Sequence, residues 1–490
     1  MNIGFDNDKY LHMQSEHIRE RINQFGGKLY LEFGGKLLDD MHASRVLPGF
    51  QPDAKLSMLM RFKDQVEMIM VVSAEDIEHS KIREDLGITY DLDVLRLIKE
   101  YQSRSLVVSS VVITKYIDSR SVRAFEDKLK AQNINVYHHY FIEGYPNNVE
   151  AIISDEGYGK NDFVETSREL IVVTAPGPGS GKMSVCLSQL YHEHRRSRSA
   201  GYAKFETFPI WNLPLEHPVN LAYEAATADL NDINMIDPYH LRAYGETTVN
   251  YNRDVEIFPV LRSMFELIYG ESPYNSPTDM GVNMAGNCIS DDAVCREAGK
   301  QEIIRRYFRA LAGVADGTKT IEEVNKIMII MKDDGIDVND RPVVKAARNR
   351  AKETGDVSSA LQLQDGTIIT GKTSDLLGPS AACVLKALRH LAGIPEDAIL
   401  LSPASIDPIQ KLKTMYLGSR NPRLHPEEVL IALSTASAID QQAARALKCL
   451  RELNGCAFHT TASLSAIDRR TLSRLGCDVT YEPKKLGTNA

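Results

Sequence analysis

The stretch Leu170–Leu190, LIVVTAPGPGSGKMSVCLSQL, constrains this chain more than any other. An apolar, β-branched run enters a loop holding Gly177, Gly179 and Gly181. Lys182 follows, and a helical pattern then sets Met183, Cys186, Leu187 and Leu190 on one stripe. A strand running through a short glycine turn into a helix predicts a sheet covered by helices, not a sandwich or a bundle. The same order suits anion binding. Glycines let backbone N–H groups turn toward an anion, the first turn of a helix favours negative charge, and Lys182 adds a point charge.

The loop departs from the phosphate-loop pattern GxxxxGK[ST]: Pro176 and Met183 stand where Gly and Ser or Thr are wanted. Ser184 brings a hydroxyl one position late, about 100° around the helix; Ser180 and Thr174 are the other hydroxyls at hand. A second stretch, Gly366–Thr373 (GTIITGKT), satisfies the pattern formally. Its β-branched interior reads as strand, so no cradle is expected there.

Further strands are expected at Lys28–Phe33, Val66–Val72, Leu106–Thr114, Val136–Ile142 and Gly201–Phe208, with helices between them. One of these helices, Asp91–Tyr101, would bury Leu92, Val94, Leu95 and Ile98. The predicted fold class is α/β. Residues 1–252 form a mainly parallel, Rossmann- or P-loop-like sheet. Residues 253–355 form a helical subdomain built from Val255–Tyr269, Ser290–Val314, Ile321–Lys332 and Arg341–Glu353. Residues 356–490 form a second α/β domain with strands at Gly366–Gly371, Ile399–Ser402, Cys456–Thr461 and Cys477–Tyr481. The tail Lys484–Ala490 is expected to fray.

The candidate phosphate-holding residues are Gly177, Gly179, Ser180, Gly181, Lys182 and Ser184. Lys182, Asp229, Asp232 and Glu206 are the candidates for catalytic work, the acids as metal ligands or general bases. Lys204 and Glu206 lie two apart on a strand and so share a face. Asp229 and Asp232 lie three apart and share a face if that segment is helical. The polar stretch Pro273–Gly286 offers Thr278, Asp279 and Asn283 to a ligand. Gly34, Gly35 and Lys36 form a weaker second anion-facing turn.

Composition narrows the function. Lys and Arg total 57 against 66 Asp and Glu, a net charge of −9 with no basic block. That makes the chain a poor candidate for a general nucleic-acid binder. No run of 18 apolar residues exists, so no membrane span is expected. The polar N-terminal stretch lacks the apolar core of a secretory signal, and seven scattered cysteines fit reduced thiols, so the expected location is the cytoplasm. No CxxC pair or HExxH signals zinc.

Several long blocks together resemble one bacterial family: KLYLEFGGKLLDDMHASRVLPGF, SDEGYGKND, VVTAPGPGSGKMSVCLSQLYHE, GYAKFETFPIWNLPLEHPVNLAYEAATADLNDINMIDPYH and SPTDMGVNMAG. The chain is similar along its length to uncharacterised protein family 0371, also called domain of unknown function 1846. The resemblance implies a multi-subdomain α/β protein with a helical part and no established activity. A label of ATP-dependent peptidase, given to some members, finds no HExxH and no Ser/His/Asp set here.

The leading expectation is a cytoplasmic phosphotransferase or ligase that binds a small phosphorylated ligand, with ATP and Mg²⁺ as its cofactors. Two alternatives stand beside it: a non-catalytic nucleotide or phosphometabolite sensor, as a homo-oligomer, and an ATP-independent enzyme acting on a phosphorylated small molecule.

Overall fold

The computed structural model describes residues 3–483, apart from positions 36, 39, 84 and 85. Lys36 and the tail Lys484–Ala490 therefore lie outside the described residues. The chain forms two compact units. One comprises Ile3–Glu224 and Asn231–Ala298; the other comprises Ala225–Leu230 and Gly299–Ala490.

The first unit is built on seven strands: β1 (Leu29–Phe33), β2 (Val66–Ser73), β3 (Val107–Thr114), β4 (Asn135–His138), β5 (Leu170–Thr174), β6 (Gly201–Phe205) and β7 (Gly281–Val282). Their order is β7-β6-β1-β5-β2-β3-β4, and every pairing is parallel. Helices cover both faces of such a sheet, which explains why β1, β2 and β5 are buried at every position.

The order contains a switch point. From β1 the chain crosses over β5 to reach β2, and from β5 it crosses back over β1 to reach β6. Right-handed crossovers in opposite directions place their helices on opposite faces. A crevice therefore opens at the carboxyl ends of β1 and β5, where ligands of open α/β sheets bind. The helix after β5, Lys182–Arg195, packs against β1, β5 and β6. The core on that face gathers Tyr30, Ile171, Val173, Cys186, Leu190 and Phe265.

The second unit holds β8 (Ser358–Gln362), β9 (Ile368–Lys372), β10 (Ala457–Thr460) and β11 (Asp478–Tyr481), in the order β9-β8-β10-β11. Only β10 and β11 run parallel. Leu361, Val384, Leu388, Phe458 and Leu472 fill its core.

Several expectations are corrected. The helices of 253–355 form no unit of their own: the helix Asn252–Tyr269 belongs with the first sheet, and residues from Gly299 onward belong with the second. An amphipathic helix does not announce which sheet it will cover. Ile399–Ser402 is not a strand; the small-residue segment SSALQ of β8 takes that place. In the helix Tyr90–Ser103 the buried stripe is Val94, Leu97, Ile98 and Tyr101, while Leu92 is 46% exposed.

The second unit also buries a charged cluster. Arg305 donates to both Glu302 oxygens at 2.5 Å, and Arg341 pairs with Asp478 at 3.0 Å. The Arg305 and Glu302 side chains are 3% and 1% exposed. Removing one partner of a buried pair strands the other charge. Glu302→Gln is therefore expected to lower unfolding stability by about 3 kcal/mol, read as an earlier urea midpoint.

Candidate functional site

The glycine loop sits where the switch point requires. It leaves β5 at Thr174 and ends at Gly181, whose φ of +91° caps the helix α3 (Lys182–Arg195). An L side chain would be strained there. Gly177 is needed for another reason: a Cβ on it would fall 2.2 Å from the Tyr90 hydroxyl. Ser180 is buried and donates to the Gly177 carbonyl at 2.8 Å. Thr114, at the end of β3, donates to the Ser180 carbonyl at 2.7 Å and ties the loop to the sheet. The N–H groups of Gly177, Gly179, Ser180, Gly181 and Lys182 find no backbone acceptor among the described residues. Lys182 is half-buried.

Beside α3 lie three hydroxyls. Ser184 neighbours Tyr145 and Tyr158, whose own hydroxyls burial pushes up in pKa. The Tyr158 hydroxyl is fully buried and has no partner of hydrogen-bond geometry. Ser184 thus faces tyrosines.

One strand beyond β1, the sheet carries charge. Lys204 of β6 is 12% exposed at its side chain. It pairs with Asp254 at 2.6 Å and with Glu206 at 3.0 Å. Glu32 of β1, in register with Lys204, accepts a hydrogen bond from Tyr202 at 2.7 Å. The Asp254 and Glu206 charges hold the Lys204 ammonium well above its usual range. Burial and the Asp254 carboxylate overcome the pull of Lys204 on Glu206 and push it up to about 7.

Lys204 and Glu206 open into a cleft of about 240 Å³. Trp211, Asn250, Thr278, Asp279 and Asn283 line it together with Arg21 from the helix α1 (Asn7–Gln24). The polar stretch singled out in the sequence, Thr278 to Asn283, therefore forms one wall.

Other candidates fall elsewhere. Asp229 is exposed in the turn that follows the helix Pro218–Ala226. Asp232 is buried and pairs with Arg253 at 3.1 Å. The helix ends before either residue, so they share no helix face. Among the described residues, no group of three His, Cys, Asp or Glu side chains is placed to hold a metal ion. Gly371-Lys372 lies in β9, and a Cβ on Gly371 would meet the Cys383 backbone at 2.3 Å, so GTIITGKT is strand and no cradle. All seven cysteines are buried and unpaired. No described helix is long and apolar enough to cross a membrane.

Sequence reasoning missed Glu32, Tyr145, Tyr158 and Arg21. Lys204, Glu206, Thr278, Asp279 and Asn283 are the cleft residues that the sequence did mark.

Fold and site together define an α/β protein with a glycine turn and a charged cleft on one edge of a parallel sheet. Comparison with known proteins gives the family. The model for the N-terminal domain of unknown function DUF1846 matches residues 3–335, and its C-terminal counterpart matches residues 339–488. The chain belongs to the DUF1846 family. It is 58% identical to a UPF0371 protein of Corynebacterium diphtheriae, over 98% of this chain and 97% of the relative. It is 56% identical to a UPF0371 protein of Streptococcus thermophilus, over the same shares. These names carry no activity.

Two outcomes follow from the geometry. Gly177→Ala is expected to cost about 1–3 kcal/mol through overpacking, and Tyr90→Leu in the same chain to recover part of it, measured by urea unfolding. Glu206 has a folded pKa above its unfolded value near 4.5. Its contribution to stability is complete below 4.5 and is lost as pH rises through about 7. Glu206→Gln should therefore gain on the wild type between pH 4.5 and pH 8 by roughly 3 kcal/mol, measured as the difference in unfolding free energy.

Proposed function

We propose that this is a cytoplasmic protein whose glycine loop grips the phosphate of a small ligand, a nucleotide such as ATP, and that it acts as a phosphotransferase or ligase. The observation that carries the reading is the row of unused N–H groups from Gly177 to Lys182 at the switch point of the sheet. Gly177, Gly179, Ser180, Gly181 and Lys182 would hold phosphate. Beyond β1 stands Glu206. Two strand spacings separate the loop from it, roughly 10 Å, and Gly34, without a side chain, lies between. A ligand held by the loop can extend along that edge.

Glu206 supplies the proton acceptor, because a group titrating near neutrality can both take and release a proton. Mg²⁺ would travel with the phosphates, largely through water. Asp229 and Asp232 support no shared metal site, given their separate surroundings.

A second reading is favoured by Met183, which stands where a phosphate loop places its metal-binding hydroxyl. It is binding without ATP turnover, either as a sensor or as an enzyme on a phosphorylated metabolite.

A thermal-shift panel of nucleotides and sugar phosphates, with and without Mg²⁺, tests both readings. A ligand that binds only the folded state raises the melting temperature by mass action. A shift of several degrees with one ligand class, lost in a folded Lys182→Ala variant, is the expected result; turnover then separates the readings. No shift with any phosphate ligand leaves the glycine turn as scaffold.

A further inference from the structure

The cleft beside Glu206, of about 240 Å³, has the size of a small-ligand site. Its two ends differ in charge. At one end Glu206 and Asp254 share Lys204. At the other stands Arg21, whose guanidinium has only neutral partners among the described residues. It donates to the Asp279 and Gly281 carbonyls and to the Gln24 side chain. Its Nε is buried with no partner.

The acids of the cleft do not neutralise it. The Asp279 carboxylate accepts from the Tyr244 hydroxyl and the Asn275 N–H, both at 2.9 Å, and lies 3.5 Å from His240 Nδ1. Glu246 is exposed. His17 is held toward its neutral form by burial and by Arg21 itself.

A half-buried guanidinium lined by carbonyls, with no carboxylate partner among the described residues, suits a carboxylate or a phosphate monoester. Gly281, which Arg21 contacts, lies opposite Lys204 on the neighbouring strand, and Arg21 and Glu206 both line the cleft. Trp211 supplies an apolar wall between them. Its indole N–H is already spent on the Asn283 carbonyl at 2.8 Å.

We infer that this cleft is a second ligand site for a small hydroxy acid, with the anionic group on Arg21 and a hydroxyl beside Glu206. The inference rests on the proposed function only for what the hydroxyl does next. As its oxygen bonds to the phosphorus of a phosphoanhydride held by the glycine loop, its proton passes to Glu206. The P–O bond to the donor breaks, and the departing oxygen keeps the electron pair.

Trp211 reports on the cleft directly, because no other tryptophan exists in the chain. The test titrates tryptophan emission of the full chain, without nucleotide, against glycerate, malate and glycerol 3-phosphate. Glycerol and propionate serve as controls lacking one of the two groups. A saturable change is expected with a hydroxy carboxylate or with the phosphate monoester, and the pair tells which anion Arg21 takes. The controls should bind at least about tenfold more weakly. Arg21→Gln should lower affinity by about tenfold or more, with a smaller loss in Arg21→Lys, which keeps the charge. Lys182→Ala should leave the titration unchanged, which separates this site from the loop.

Three results overturn the inference. One is no change with any hydroxyl-bearing anion up to about 10 mM. Another is undiminished affinity in an Arg21 variant that melts like the wild type. The third is loss of binding in Lys182→Ala. Failure of nucleotides to shift the melting temperature counts against the loop reading alone.

Discussion

A lysine at the end of a parallel strand, nearly closed off from water, organises the edge of this sheet. Lys204 lies in β6, where burial would normally discharge an ammonium. Two carboxylates prevent that, one from Glu206 two residues on and one from Asp254 on the helix Asn252–Tyr269. The arrangement fixes the first turn of that helix against the strand. It also leaves a carboxylic acid that titrates near neutrality and is open on one side to a cleft. Exchanging this cluster for apolar residues need not destabilise the fold. The chain instead keeps three charges and a raised carboxyl pKa in one place, an economy more typical of sites than of scaffolds.

The glycine loop belongs to the same edge for topological reasons. Opposite crossovers from β1 and β5 force a crevice between their ends. The loop fills it from one side with backbone N–H groups, and the end of β6 meets it from the other with charge. Between them β1 ends in Gly34, where a side chain would collide with Glu206. The edge thus has two chemically different halves, one built from main chain and one from side chains.

Much of this was legible in the sequence. Short apolar runs such as those of β2 and β5, alternating with helices, argue for a mainly parallel sheet. The order strand, glycines, Lys182 and helix located the loop. The spacing of Lys204 and Glu206 placed them on one face, and the polar stretch through Thr278, Asp279 and Asn283 was marked as ligand-facing. Other features were invisible for identifiable reasons. Arg21 lies on an amphipathic helix, where one arginine looks like any solvated residue. Glu32 sits in an alternating strand whose polar positions normally face water. Asp229 and Asp232 read as a pair because three-residue spacing pairs side chains on a helix, and the helix stops before them.

What the sequence determined by itself is local: which segments are strands and helices, that the first sheet is parallel and covered, and where a glycine turn joins strand to helix. Periodicity and backbone stereochemistry suffice for that. What the tertiary structure decided is convergence. The order of strands chose the crevice. The pairing of β7 with β6 set Gly281 opposite Lys204, and Arg21 and Glu206 came to line one cleft of about 240 Å³. A contact such as that of Arg21 with Gly281, 260 positions apart, leaves no local trace, because it is selected by packing and charge only once the sheet has formed.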